Sequence, residues 1–475
     1  MKFIKYLMLA FTGGVFYSCD VEEFLNPLPE TAVTADTYFQ SDADVVAGII
    51  GIYDAIQGVN EATDSDDTDV NRGIQYEYLL TEHRSDNTRS ATLEGSRADF
   101  HRYLTDPVNT QSEDYWASMY DIIFRANNVL TYMDVANPAN VARYTGEAKF
   151  LRAYAYFNLV RLYGDVPLIT EVAIPNDRET LYTRVDVATV YAQIVQDLDE
   201  AATVLDNTYK SRASKAAAQG LLAKVLLSQP NPDYQRAQVL CEDVMSQGFS
   251  LMPNFYDVFY SELNDEIIFA IQYQSGNPLE SQGFSAEFTS AVRQGFQDGL
   301  NIPNDNLIAD LNTHGGDRAA VSITNVQGSI EVAKFLPDGN DWTNEYGGNA
   351  RNAGNDWIIL RYSDILLMHV EAIMGGTAST GNPAALASFQ AVRNRAGLTT
   401  PVTSISQEDL LLERRVEFAF ENQRWFDLQR FGVADAVLSA HATDMGYADY
   451  NARALLLPIP AREINLSGGL MTQNP

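Results

Sequence analysis

Glu147-Ala148-Lys149-Phe150-Leu151-Arg152-Ala153-Tyr154-Ala155-Tyr156-Phe157-Asn158-Leu159-Val160-Arg161-Leu162-Tyr163 reads as a helix that is apolar nearly all round. Such a helix must be packed on several sides, and Gly164 followed by Pro167 stops it. Its neighbours in sequence show what packs there. Residues 113–134 carry Trp116, Met119, Tyr120, Ile123, Val129 and Leu130 at spacings of three and four, which predicts a helix with one buried face. Further helices are expected at 187–206, 213–229, 234–247, 361–374, 383–396 and 407–431, arranged as antiparallel pairs.

The pair at 187–229 has an aromatic, Tyr191, in its first helix. Its second helix holds Ala216-Ala217-Ala218-Gln219-Gly220-Leu221-Leu222-Ala223-Lys224-Val225-Leu226. Small residues there let two backbones approach closely, as a tetratricopeptide-like hairpin requires, and Pro230 and Pro232 close the unit. Long insertions separate the pairs, so the period departs from a regular repeat of about 34 residues. The expected fold is mainly α: a degenerate helical-repeat scaffold with long irregular loops and a few short strands.

Residues 61–112, 273–358 and 432–475 interrupt the helices and are rich in Gly, Asn, Asp, Ser and Thr with scattered aromatics. Glu266-Ile267-Ile268-Phe269-Ala270-Ile271 reads as a strand. Loops of this length in a compact protein are usually functional, so function is expected on an irregular face laid over the helices.

The chain begins with Lys2 and Lys5 and an apolar run from Tyr6 to Phe16, then Ser18-Cys19. This is the layout of a secretory signal, too short for the roughly 20 apolar residues of a spanning helix. A cysteine directly after the run is what lipoprotein signal peptidase requires. Residues 1–18 are therefore expected to be a lipoprotein signal peptide and Cys19 the lipidation site, with residues 19–475 as one domain. The alternative is an ordinary signal peptide with a chance cysteine. Only Cys241 then remains, so no disulfide can form, and its apolar helical setting suggests a small buried hydrophobe.

The 475 residues are 46% hydrophobic and carry a net charge of -31. The acidic excess argues against nucleic acid, whose phosphates select Lys/Arg surfaces. It weakly favours a neutral ligand over a polyanionic one.

Four stretches together resemble the SusD/RagB family: the start at Cys19 with Phe24-Leu25-Asn26-Pro27-Leu28-Pro29; the run Glu147 to Phe157 with Tyr163-Gly164-Asp165-Val166-Pro167; Glu413-Arg414-Arg415-Val416-Glu417-Phe418-Ala419-Phe420-Glu421 with Arg424-Trp425-Phe426-Asp427-Leu428; and Leu457-Pro458-Ile459-Pro460 with Glu463-Ile464 and Gln473-Asn474-Pro475. The resemblance implies a lipoprotein anchored in the outer membrane and exposed at the cell surface. It further implies a tetratricopeptide-like scaffold that caps a SusC-like TonB-dependent transporter and delivers a captured oligosaccharide or polysaccharide. The acidic residues after Cys19 look like the surface-export signal of such lipoproteins. The family also includes peptide-binding members, so a peptide-binding, RagB-like lid is the alternative.

Glu413, Arg414, Arg415, Glu417, Glu421 and Arg424 lie three or four apart, where opposite charges along one helix can pair, while Phe418, Phe420, Trp425 and Phe426 fill the interior. That charge-laced core helix is preferred to a catalytic reading. The chain has no His-Glu-x-x-His, no Gly-x-Ser-x-Gly and no phosphate-cradling glycine loop, and His83, His101, His314, His369 and His441 read as isolated from one another. A glycosidase needs only two opposed carboxylates, so sequence leaves it open as a lower-ranked reading beside a non-enzymatic binder.

No cofactor is expected, with calcium left open. Asp64-Ser65-Asp66-Asp67-Thr68-Asp69-Val70-Asn71 has carboxylates at calcium-loop spacing, but counting from Asp67 puts Arg72 where Gly belongs and Tyr78 where a bidentate Glu belongs. A solvated acidic loop fits better.

Sugar recognition needs flat aromatic surfaces and planar polar groups. Trp116 and Trp425 follow helical periodicity and read as core. Trp342 and Tyr346 lie in the polar-aromatic stretch Pro337 to Asn349 and are the leading stacking candidates. Trp357, before Ile358-Ile359-Leu360, is balanced between core and ligand wall. The resemblance points by region to Arg84, Asp86, Asn87 and Arg89 for ligand hydroxyls, with turn-capping by Asp and Asn as the competing role. Tyr273, Phe284 and Phe288 form a third candidate wall.

Overall fold

The computed structural model describes residues 35–474 apart from 61–70, 93, 174–175, 278, 290–298 and 337–351. The chain divides between Gln40 and Ser41. On the N-terminal side lies a short helix, Ala35–Tyr38.

The larger unit is built on helices α1 (Asp42–Gln57), α2 (Thr110–Thr131), α3 (Val141–Tyr163), α4 (Val187–Val204), α5 (Lys215–Ser228) and α6 (Tyr234–Met245). It continues with α7 (Asp305–His314), α8 (Tyr362–Met374), α9 (Pro383–Arg395), α10 (Gln407–Glu417), α11 (Arg424–Arg430) and α12 (Ala434–Met445). From α1 to α6 each helix packs on the next in sequence; α6 then packs on α8, and α8 on α9. This continuous row is the expected helical-repeat scaffold.

Its middle member, α3, is buried from Phe150 to Val160 without a break. The Ala-rich α5 is buried from Ala216 to Leu227. A Cβ on Gly220 would lie 2.5 Å from Leu360 Cδ2 and 2.9 Å from Ile365 Cδ1. The small residues of α5 therefore admit a strand and α8 as well as its helical neighbours. Caps set several boundaries. The Asn109 side chain accepts from the amides of Gln111 and Ser112, starting α2 ahead of the expected residue 113. Asp186 and Ser214 cap α4 and α5 in the same way.

Strand β1 (Ile267–Ile271) pairs antiparallel with β4 (Trp357–Arg361), Ile271 opposite Trp357 and Ile267 opposite Arg361. A hairpin, β2 (Ile323–Val326) with β3 (Ser329–Val332), lies within the stretch expected to be loop. That stretch also contains α7, and residues 432–475 contain α12, so both insertions are more ordered than their composition suggests.

The expected single helix at 407–431 is two. It breaks between Glu417 and Arg424, where Phe420 and Asn422 adopt left-handed backbone with φ 68° and 60°. The Asn422 amide donates to Glu82 Oε1 at 3.0 Å and its side-chain nitrogen to Glu77 Oε1 at 3.1 Å, which holds the turn.

The charges of this segment also pair differently from the expectation, mostly across elements. Arg361 at the end of β4 reaches Glu266 at 2.9 Å and Glu421 at 2.8 Å, and also bonds Glu417. Arg318 holds Glu413 at 2.7 Å and Glu417 at 2.8 Å, and Lys334 holds Glu421 at 2.8 Å. Arg414 joins Asp364 and Asp427, and Asp364 in turn takes Lys224. Burial alone would raise the Glu417 carboxyl, yet Arg395, Arg361 and Arg318 hold it well below the usual range. Removing one partner from such a network strands a buried charge, so these groups lock α8, α10, β1 and β4 together. Cys241 is a buried free thiol pushed well above its ordinary range by burial, consistent with a structural role.

Candidate functional site

Trp342, Tyr346, Cys19 and most of the acidic run Asp64 to Asn71 lie outside the described residues. The remaining expected site residues, Arg89 apart, fall into two buried groups. Trp357, Tyr273, Phe284 and Phe288 are 4%, 6%, 2% and 1% exposed. Trp357 stacks on Phe335, with ring centroids 5.2 Å apart at 27°, and meets Phe284 edge-on at 5.2 Å. The Tyr273 hydroxyl donates to the Gln57 carbonyl at 2.9 Å. These rings fill a core beneath the β1–β4 ladder, which resolves the balance at Trp357 toward packing.

Arg84, Asp86 and Asn87 are buried as well. Asp86 accepts from Arg424 at 2.8 and 3.0 Å and pairs with Arg415 at 3.1 Å. Burial would raise its carboxyl, but the two guanidinium groups hold it well below the ordinary range. Asn87 bridges Glu82 at 3.0 Å and Arg415 at 2.9 Å. Asp86 and Asn87 therefore tie the early loop to α10 and α11, neither capping a turn nor standing open. Arg89 is half-buried on a two-residue strand paired with Ile302–Pro303.

The histidines are less isolated than expected. His83 and His101 meet edge-to-face at 6.1 Å, and His101 and His441 both pack on Tyr447. Burial first, and then neighbouring positive groups, lower His83 well below its usual range and His101 to about 4. They form a neutral aromatic cluster. Among the described residues no group of three His, Cys, Asp or Glu side chains could hold a metal ion.

One polar-aromatic cleft, of about 450 Å³, is lined by Tyr256, Tyr260, Tyr273, Gln274, Asn355 and Asp356 among others. Tyr256 is 40% exposed and stacks on Tyr260, with centroids 4.2 Å apart at 17°. The Tyr260 hydroxyl is fixed by the Ala333 carbonyl at 2.9 Å. Asp356 accepts from the Tyr273 amide at 3.1 Å, while its Oδ2 is buried without a partner; burial pushes this carboxyl up to about 7. An exposed aromatic face beside planar amide and carboxyl groups is chemistry suited to a sugar ring. In sequence, the rim residues Gly354 to Asp356 follow closely on Trp342 and Tyr346. Sequence reasoning passed over Tyr256 and Tyr260. Their signal was the spacing in Phe255-Tyr256-Asp257-Val258-Phe259-Tyr260, which puts two tyrosines on one helical face and two phenylalanines on another.

A row of helices carrying a loop-built polar-aromatic cleft defines a helical-repeat binding protein. The comparisons with known proteins give the class a family. The SusD family model matches residues 315–475, and a model described as "Starch-binding associating with outer membrane" matches residues 23–227. SusD-like protein P2 of Formosa agariphila is 26% identical, with 96% of each chain covered. A SusD-like protein of Bacteroides ovatus is also 26% identical, over 89% of this chain and 82% of that one. Among solved structures, a laminarin-binding SusD-like protein superposes with a TM-score of 0.75 at 26% identity, covering 92% of this chain and 99% of its own. Surface glycan-binding protein A of Bacteroides thetaiotaomicron in complex with laminarihexaose shares the fold at 22% identity and a TM-score of 0.75, covering 91% of this chain and 99% of that one. The chain belongs to the SusD/RagB family. Among the described residues no helix is long and apolar enough to cross a membrane.

Proposed function

We propose that this chain is a non-enzymatic glycan-binding lipoprotein, held on the outer face of the outer membrane through Cys19. It captures a neutral oligosaccharide or polysaccharide and passes it to a SusC-like TonB-dependent transporter. The observation that carries the reading is the cleft that the exposed Tyr256 lines together with Gln274, Asn355 and Asp356. It is supported by a laminarin-binding relative that matches over nearly its whole length. In this reading Trp342 and Tyr346 also stack on sugar rings. Affinity is modest, because water competes for each hydroxyl and few aromatic faces are offered. That suits a protein that must release its ligand.

Calorimetric titration of the purified protein with β-glucan and xyloglucan oligosaccharides tests this. Each stacked ring contributes about 1–2 kcal/mol, so Tyr256→Ala should weaken binding roughly tenfold and Trp342→Ala by at least as much. Binding of peptides alone, or release of new reducing ends from the glycan, would overturn the proposal.

A further inference from the structure

A second cavity, of about 270 Å³, shares no residue with the Tyr256 cleft. Its walls include Arg84, Tyr103, Arg453, Phe100, Pro107 and Leu456, and no Asp or Glu lines it. In a chain with 63 acidic and 32 basic residues, a cavity with two arginines and no carboxylate is built against the average charge.

Arg84 forms part of the cavity wall. It is 2% exposed, and a buried cation ordinarily has a carboxylate partner. The other buried arginines, Arg152, Arg318, Arg361, Arg414, Arg415 and Arg424, each have one. Arg84 has none among the described residues. It donates only to the carbonyls of Leu80 at 3.3 Å and Ala454 at 2.6 Å, and lies 4.0 Å from the centre of the Trp425 ring. A guanidinium has five N–H donors, so its fork keeps capacity for an acceptor in the cavity. Burial without a counter-charge lowers it to about 9, a cost that a bound anion would relieve.

Tyr103 lines the same cavity. It is 8% exposed, its hydroxyl is buried with no partner, and its backbone is held at φ 60°. A tyrosine adopts that left-handed conformation only where its surroundings demand it. Here the strain keeps an unsatisfied hydroxyl in the wall that Arg84 also lines. Arg453 is exposed and adds a second positive group, while Phe100, Pro107 and Leu456 offer apolar surface.

We propose that this cavity is a carboxylate-binding site, taking the acid group of a small ligand between Arg84 and the Tyr103 hydroxyl. Planar carboxylate matches the guanidinium fork, and the apolar walls fit the ring of a uronic acid. The volume falls just below the roughly 300–1,000 Å³ of drug-sized pockets, so it holds one ring or a small organic acid. The inference is independent of neutral-glycan capture, and each can fail without the other.

Calorimetric titration of the purified protein with D-glucuronate, D-glucose and propionate tests it. Glucuronate should bind at least tenfold more tightly than glucose. Because Arg84 also covers the Trp425 ring, the variants leave it in place. Tyr103→Phe keeps the ring and Arg453→Gln lies at the surface, so both should fold normally and weaken glucuronate roughly five- to tenfold. Propionate binding as tightly as glucuronate would also support a carboxylate site and assign its ligand to simple organic acids. Equal binding of glucose and glucuronate, no glucuronate binding, or unchanged affinity in both variants would overturn the proposal.

Discussion

Burial pushes the carboxyls of Glu82 and Asp356 up to about 7, and the sign of the consequence is fixed by linkage. A carboxyl raised in the folded state contributes stability that is complete below its ordinary pKa and lost as pH rises through about 7. Between pH 6.5 and 7.5 unfolded histidines, with an ordinary value of about 6.5, still bind protons that the folded ones do not, which opposes the two carboxyls. The share of one carboxyl is therefore read as the difference in stability between the parent and a variant over this range. His83, His101, His369 and His441, all lowered chiefly by burial, supply this opposing trend by charging in the unfolded chain as pH falls. Asp356→Asn keeps the acceptor for the Tyr273 amide and should raise stability over the parent by about 1–3 kcal/mol at pH 7.5, a gain that shrinks as pH falls. A variant whose melting curve tracks the parent across this range would show that another group titrates. The residues that sequence could not rank illustrate the same point. Arg84, Asp86 and Asn87 stand in one exposed-looking polar string, and only the fold shows that Asp86 and Asn87 are consumed by Arg415 and Arg424 while Arg84 is left facing a cavity.

Helices with strong apolar periodicity were legible to within a few residues. α3 ends at Tyr163 as Gly164 requires, and α5 spans the Ala-rich run. The helix at 407–431 was not read correctly, because the forces that break it are remote. Glu417 finds its arginines 22 to 99 positions away, at Arg395, Arg361 and Arg318. Asn422 is held by Glu77 and Glu82 from the early loop. No spacing rule along one helix encodes such partners. The close approach at Gly220 was legible as a small-residue stretch, although the strand that fills the space was not. Gly220→Ala should cost about 1–3 kcal/mol in denaturant unfolding, since its methyl would press on Leu360 and Ile365 in a filled core. An unchanged midpoint would mean that those side chains have room to move.

The whole chain carries 32 basic residues, and many of its arginines are spent in buried pairs, leaving a strongly acidic exterior. Raising salt from about 0.01 M to 0.15 M shortens the screening length from about 30 Å to 8 Å. Self-repulsion should fall and the melting temperature should rise over that range, whereas a fall would mean that screened attractive pairs outweigh the repulsion. The family was readable from motifs spread along the chain, and the helical row that carries them is present. The candidate site was only partly readable: Trp342 and Tyr346 lie outside the described residues, while Tyr256 and Tyr260 were hidden in a short aromatic helix. The central claim is capture of a neutral glycan without turnover, and calorimetric titration of the parent and Trp342→Ala with laminarihexaose and xyloglucan oligosaccharides tests it most directly. Saturable binding to at least one glycan is expected, lost or weakened at least tenfold in the variant, with no new reducing ends. Silence toward every glycan alongside peptide binding, or the appearance of cleavage products, would contradict it.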